Sequence, residues 1–286
     1  MLEVHDLRLK FGVHLPIHVP YDYEAFLETS IIADRLGFDY LTVGDHFFLP
    51  AELYTKVGGD PNRPDKLDAW TALAAVAART ERIKLGTRVS PIPFYLPSRL
   101  AKIVTTVDII SHGRVFLGVG AAWHKEEATS YGVKWGSHAE RIERMLEGLR
   151  IILSLWSQEK ATFEGKYYQV REAPFWPKPV QKPHPPIWFG GSSEAILDAA
   201  ARYGEGLFPL TDMQPEELVG LHRRLMGLGG RYMRENPPIL APAVSYPGGI
   251  GRKKSDWTSK MESQIEMGAG LVLIDFSAGN ASVREA

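Results

Sequence analysis

A (β/α)8 barrel of the TIM type is the fold the sequence predicts, on three observations. Short apolar runs alternate with longer amphipathic runs along nearly the whole chain. Eight such apolar runs can be placed, the number that closes a parallel barrel. The length, 286 residues, suits a single barrel domain.

The elements follow in order. Residues 9–14 read as the first strand. Asp22 then caps a helix that stops at Gly37. Residues 40–44 are the second strand. A polar loop with Pro50, Gly58, Gly59, Pro61 and Pro64 leads to Asp68, which caps an alanine-rich helix over 69–79. The third strand is 83–89, followed by a proline-bearing loop and a helix over 98–110. The fourth is 114–119, followed by a broken helical region. Its long part, 138–156, sets Ile142, Met145, Leu149, Ile152, Leu153 and Trp156 at helical spacing.

There the rhythm stops. Residues 161–170 alternate around Gly165-Lys166, a hairpin signal. Residues 174–186 carry six prolines, which forbid regular helix or central strand. Residues 157–186 therefore read as an insertion, packed over one end of a single domain spanning 1–286. Strands resume at 187–189, 206–210, 239–245 and 271–276, with helices at 193–203, 215–234 and 255–267. The ten residues after Phe276 are too few for a full eighth helix.

Composition narrows the function. The chain is 44% hydrophobic and 23% charged, ordinary for a globular protein. It has no cysteine, which excludes disulfides, thiolate zinc sites and cysteine nucleophiles. Thirty-three Lys and Arg balance 34 Asp and Glu without a basic stripe, so nucleic acid is not an expected partner. The first ten residues lack a signal peptide's apolar core, and no run reaches the ~18 apolar residues of a membrane span. A cytoplasmic enzyme without membrane contact is the expectation. His14 and His18 are separated by Pro16 and make no helical metal pair, so no metal site is expected. No Gly-x-Ser-x-Gly nucleophile turn occurs.

In such a barrel, chemistry gathers where strands end. The second strand ends in Gly44-Asp45-His46. His46 can carry a proton near neutral pH, and Asp45 can orient a neighbour or bond a ligand. Without the barrel, the pair reads as a loop-capping acid and a solvated histidine. The third strand ends in Gly86-Thr87-Arg88-Val89-Ser90-Pro91, which either presses backbone against a planar ligand or is a proline-stiffened loop. The fourth ends in Gly118-Val119-Gly120-Ala121-Ala122-Trp123. Tryptophan at the third glycine position rules out a dinucleotide fingerprint. Ala121 and Ala122 leave room for a flat ring that Trp123 could stack on or wall. His124, Glu126 and Glu127 follow, and a carboxylate there relays protons or, more commonly, caps the next helix. The fifth strand ends in Gly190-Gly191-Ser192-Ser193, an anion seat at a helix start or a tight turn with a serine cap.

Several segments, in this order, resemble the bacterial luciferase-like superfamily over nearly the whole chain. They are Tyr40-Leu41-Thr42-Val43-Gly44-Asp45-His46, Ile83-Lys84-Leu85-Gly86-Thr87, Gly113-Arg114-Val115-Phe116-Leu117-Gly118-Val119-Gly120-Ala121, Phe163-Glu164-Gly165-Lys166-Tyr167-Tyr168 and Pro186-Ile187-Trp188-Phe189-Gly190-Gly191-Ser192. The resemblance implies an oxidoreductase that uses the deazaflavin F420 or reduced FMN, and the Asp-His pair is similar to the F420-dependent branch. It implies His46 as proton donor or acceptor, with Asp45 beside the cofactor. It also implies a non-prolyl cis peptide at Arg88-Val89, plus or minus one residue, behind the ring. Thr87, Arg88, Val89, Gly120, Ala121, Ala122, Trp123, Gly190, Gly191 and Ser192 would then contact cofactor. Relatives that oxidise sugar phosphates or alcohols carry a catalytic glutamate near Trp123, so this chain departs from them there. Glu127 matches a glutamate common to the family, read as structural. The expectation is hydride exchange between F420 and a small-molecule substrate, in a homodimer. The alternatives are an FMN-dependent two-component monooxygenase and a non-catalytic flavin-binding protein.

Overall fold

The structure, a computed structural model, describes residues 9–17, 22–56, 62, 66–210, 213–234, 236–245 and 254–276. Its frame is a parallel barrel. The strands are β1 (Lys10–Leu15), β2 (Tyr40–Val43), β3 (Lys84–Thr87), β4 (Ser90–Pro91), β5 (Val115–Gly120), β8 (Ile187–Gly190), β9 (Gly206–Phe208), β10 (Ile239–Leu240), β11 (Ala243–Ser245) and β12 (Leu271–Asp275); β6 (Lys160–Glu164) and β7 (Gln169–Pro174) form a separate hairpin. The helices are α1 (Tyr23–Leu36), α2 (Ala51–Lys56), α3 (Ala69–Ala77), α4 (Pro97–Ile110), α5 (Lys125–Ser130), α6 (His138–Ser157), α7 (Glu194–Tyr203), α8 (Pro215–Arg231) and α9 (Lys254–Glu266).

The seventh barrel strand closes the ring. Its first half, β10, pairs with β9, and its second half, β11, pairs with β12, which pairs with β1. The expected continuous strand is broken at Ala241-Pro242, because proline has no N–H to donate to a ladder. The third strand is also split. β3 pairs with β2 and β5, the Arg88-Val89 peptide is cis, and β4 then resumes pairing with β5 at Val119 and Gly120. The cis bond falls where the family resemblance implied it.

Aromatic rings fill the barrel. Tyr40, Phe116, Trp188 and Phe208 are buried together with Leu271 and Leu273. Trp188 stacks on Phe208 at 4.8 Å and meets Tyr40 edge-on at 5.4 Å. Facing strands make room with glycine. A Cβ on Gly86 would lie 2.7 Å from the Phe116 ring, and one on Gly206 would lie 2.3 Å from the Trp188 ring.

The caps are those the sequence predicts. Asp22 accepts from the Ala25 N–H at 2.8 Å, Asp68 from the Thr71 N–H at 2.8 Å, and Gly37 turns left-handed at φ 87°. The insertion follows α6, but its hairpin lies along the outer flank of that helix, where Glu147 accepts from the Lys166 and Tyr167 N–H groups. Its proline-rich tail packs at the N-terminal barrel end, where Asp108 accepts from the Val180 and Gln181 N–H groups. The tail after Phe276 and His18 lie outside the described residues. Among the described residues, no helix is long and apolar enough to cross a membrane, and no group of His, Asp and Glu is arranged to hold a metal ion.

Candidate active site

A cavity of about 520 Å³ opens at the C-terminal ends of the strands. That size suits a small-molecule or cofactor site. Ten predicted residues line it: His46, Arg88, Val89, Gly120, Ala121, Ala122, Trp123, Gly190, Gly191 and Ser192. Asp45 and Thr87 are not in its lining. Both side chains are buried beside it, at 7% and 0% exposure.

The floor is built by one side chain. Val89 lies against the ends of β5 and β8. A Cβ on Gly120 would come within 2.5 Å of Val89 Cγ2, and one on Gly190 within 2.9 Å of Val89 Cγ1. These two glycines thus leave a slot that the Val89 side chain occupies, and all three residues line the cavity. Gly191, at φ 122°, then turns the chain into α7. Ser193 Oγ at that helix start is buried without a hydrogen-bond partner, so a polar group remains to be met there.

His46 is an imidazole of the wall. Its Nδ1 lies 2.8 Å from Glu127 Oε2, and the other Glu127 oxygen accepts the Phe47 N–H at 2.6 Å. Glu127 is 1% exposed. A carboxylate on Nδ1 fixes the tautomer with Nδ1–H, which leaves the Nε2 lone pair for the cavity. Trp123, 56% exposed, stands edge-on to the His46 ring at 5.6 Å. It follows Ala122, whose left-handed backbone (φ 66°) turns the chain from β5 towards α5.

Asp45 serves the layer behind. Its Oδ2 accepts the Ser90 hydroxyl at 2.5 Å and the Tyr95 hydroxyl at 2.8 Å, and Trp70 Nε1 donates to Ser90 Oγ at 3.0 Å. Burial raises the Asp45 carboxyl above its ordinary value, against the lowering effect of those hydrogen bonds and of His46. Burial also raises the Tyr95 phenol, reinforced by the Asp45 charge. Lys66 is the neighbouring cation. Its Nζ lies 3.9 Å from where a Gly44 Cβ would be, and burial lowers its ammonium to about 8, with Asp45 and Glu127 opposing.

Sequence reasoning named Glu127 but favoured a capping or structural role for it, and it missed Lys66 and Tyr95 and gave Ser90 no role of its own in this site. Glu127 lies in the first turn of α5, where an acid is ordinarily a cap. Here it reaches back 80 residues to the loop after β2 instead. Lys66 lies in an aperiodic loop, and nothing in its neighbours signals burial.

The fold and the mouth together define a (β/α)8 barrel with an imidazole–carboxylate pair beside a cavity at the strand ends. The chain belongs to the luciferase-like monooxygenase family, whose profile matches residues 9–226. It is 36% identical over 191 residues to an F420-dependent glucose-6-phosphate dehydrogenase of Microbacterium testaceum (strain StLB037), covering 66% of this chain and 53% of that protein. It is 33% identical over 188 residues to an FMNH(2)-dependent dimethylsulfone monooxygenase of Pseudomonas putida, covering 66% and 49%. The chain therefore spans about half the length of these curated relatives. The solved structure of an F420-dependent secondary alcohol dehydrogenase with an F420-acetone adduct superposes with a TM-score of 0.82 at 19% identity, covering 96% of this chain and 95% of that one. At that identity the likeness is one of fold.

Proposed function

We propose that this protein is an oxidoreductase that binds the deazaflavin F420 at the barrel mouth and exchanges hydride between it and a small organic substrate. The observation that carries this reading is His46, held by Glu127 on one nitrogen and lining the same cavity as Val89. Relatives named for F420 support it. The residues present fit a planar ring: glycines and small Ala121 and Ala122 in the lining, and an unmet hydroxyl at the start of α7. When bound, the deazaflavin supplies the hydride acceptor or donor at its central ring.

The chain's own residues manage the accompanying proton. His46 Nε2 accepts or gives it, and Glu127 stabilises the imidazolium that forms. Val89, Gly120 and Gly190 back the ring, and Gly191, Ser192 and Ser193 offer N–H and O–H donors to an acidic group. Asp45, through Ser90 and Tyr95, holds the loop that carries Val89. Trp123 has no proton to give at neutral pH, so a sugar phosphate is not the proposed substrate.

A second reading, an FMN-dependent monooxygenase, is favoured by the relative named for FMNH(2). Fluorescence titration with F420 and with FMN, each in both redox states, separates the two. Micromolar or tighter F420 binding with weak FMN binding is the expected result. The reverse preference, with oxygen consumption, establishes the second reading. Binding of neither overturns both.

A further inference from the structure

Glu127 Oε2 faces two imidazoles. His46 Nδ1 bonds it at 2.8 Å, and His124 Nδ1 stands 3.7 Å from the same oxygen, beyond hydrogen-bond reach. His124 is 8% exposed, and its Nδ1 is buried without a hydrogen-bond partner. Its ring is fixed from two sides. Trp123 stacks on it at 5.3 Å with a 20° interplanar angle, and Phe48 meets it edge-on at 5.1 Å. Its other nitrogen, Nε2, lies 4.0 Å from Glu126 Oε2, on a side chain 78% exposed. A buried nitrogen left without a partner beside a buried carboxylate needs an explanation. Packing alone does not require it, because phenylalanine would fill the same slot.

We propose that His46, Glu127 and His124 form a shared-proton trio in which one carboxylate supports one imidazolium at a time, making His124 a positioning residue for the proton step at His46. The proposal rests on the reading of His46 as the proton-bearing group. The physics is local. A buried carboxylate bonded only to His46 would hold that imidazolium firmly, and a group that must take and release a proton each turnover is hindered by firm holding. A second imidazole on the same oxygen competes for it. Protonating both rings places two cations on one anion in a low-dielectric wall, so each proton weakens the other. The other charged groups around the trio are Glu126 on α5, Lys66 from the loop before α3, Asp45 behind His46, and Arg88, His138 and Arg141 in the same cavity lining. The trio also connects the cavity to its wall, since Trp123 lies against both rings.

The test uses the whole chain without cofactor. Imidazole signals of His46 and His124 are followed by NMR as pH is varied, in the wild type and in His124→Phe. In the wild type, each ring's curve should show an inflection from the other. In His124→Phe, the His46 curve should lose that inflection and become a single step. A His46 curve unchanged in shape overturns the proposal. If His124→Phe does not fold, the wild type decides alone: two independent single-step curves overturn the trio. Coupled curves in a protein that shows no F420 turnover leave the trio standing and remove the proposed reaction. With turnover, His124→Phe should alter the pH profile of kcat/KM and leave F420 affinity within about twofold, because His124 lies behind Trp123 rather than in the cavity lining.

Discussion

Arg114, at the N-terminal end of the barrel, and His124, at the C-terminal end, are both enclosed by protein, yet they are treated in opposite ways. The Arg114 guanidinium donates to Ser111 O, Ala77 O, Thr80 O, Thr80 Oγ1 and Ile83 O, all within 2.8–3.0 Å, which uses all five of its N–H donors. Beside it, the Asp34 carboxylate accepts three successive backbone N–H groups, from Glu81, Arg82 and Ile83. Burial acts to raise the Asp34 carboxyl, but those hydrogen bonds and Arg82 leave it lowered. At the other end, His124 Nδ1 and Ser193 Oγ have no hydrogen-bond partner, Asp45 is raised, and Lys66 is lowered. At the first end, the Arg114 and Asp34 cluster meets its polar groups internally. The other leaves polar groups unmet around a cavity, as a site that must bind and react requires. The contrast is between a cluster that holds loops of the fold together and polar groups left unmet near the cavity.

The sharpest way to break this comparison is His46→Ala. Turnover should fall by about 10²–10⁴-fold with F420 affinity nearly kept, checked by steady-state kinetics and fluorescence titration. Unchanged turnover removes His46 from the mechanism. Next comes Arg114→Met, which leaves several carbonyls without their donor. It should cost about 3 kcal/mol of stability, read from the urea midpoint, and leave cofactor affinity alone in the folded fraction. The two aspartates should then show opposite signs with pH. Asp34, lowered in the fold, adds stability above its unfolded value, and that stability is lost as pH falls through the folded value. Asp34→Asn should therefore flatten the acid side of the stability curve. Asp45, raised in the fold, works against stability as pH rises from its unfolded to its folded value, so Asp45→Asn should remove that decline. The smallest effect is Trp123→Ala. With its ring 56% exposed, it should shift stability by under about 0.5 kcal/mol while changing which substrates are accepted.

The local signals were the easiest to read. Asp22, Gly37 and Asp68 are local signals, and each sits where its helix begins or ends. The eight strands follow from apolar runs, because a strand surrounded by barrel and helices is apolar throughout. His46 was legible through the fold, as a polar residue just past a strand. The breaks in the third and seventh strands were less so. Pro242 was a visible signal that the apolar run around it outweighed. Glu127, Lys66, Ser90 and Tyr95 were not legible as a site, because their partners lie 80 residues away for Glu127 with Phe47, and 45 and 50 residues away for Ser90 and Tyr95 with Asp45. Short-range rules have no term for such partners.

The seat of Val89 has a genetic consequence. Because the Gly120 and Gly190 Cβ positions are occupied by one valine, the three sites cannot vary independently. Gly120→Ala alone meets backbone-anchored methyls at 2.5 Å, whereas the same change beside Val89→Ala finds space. This is built-in epistasis: a lineage that widens the floor at position 89 first gains permission to alter the strand ends, and one that starts with the glycines meets a barrier. Libraries aimed at new substrates should therefore vary these three positions together.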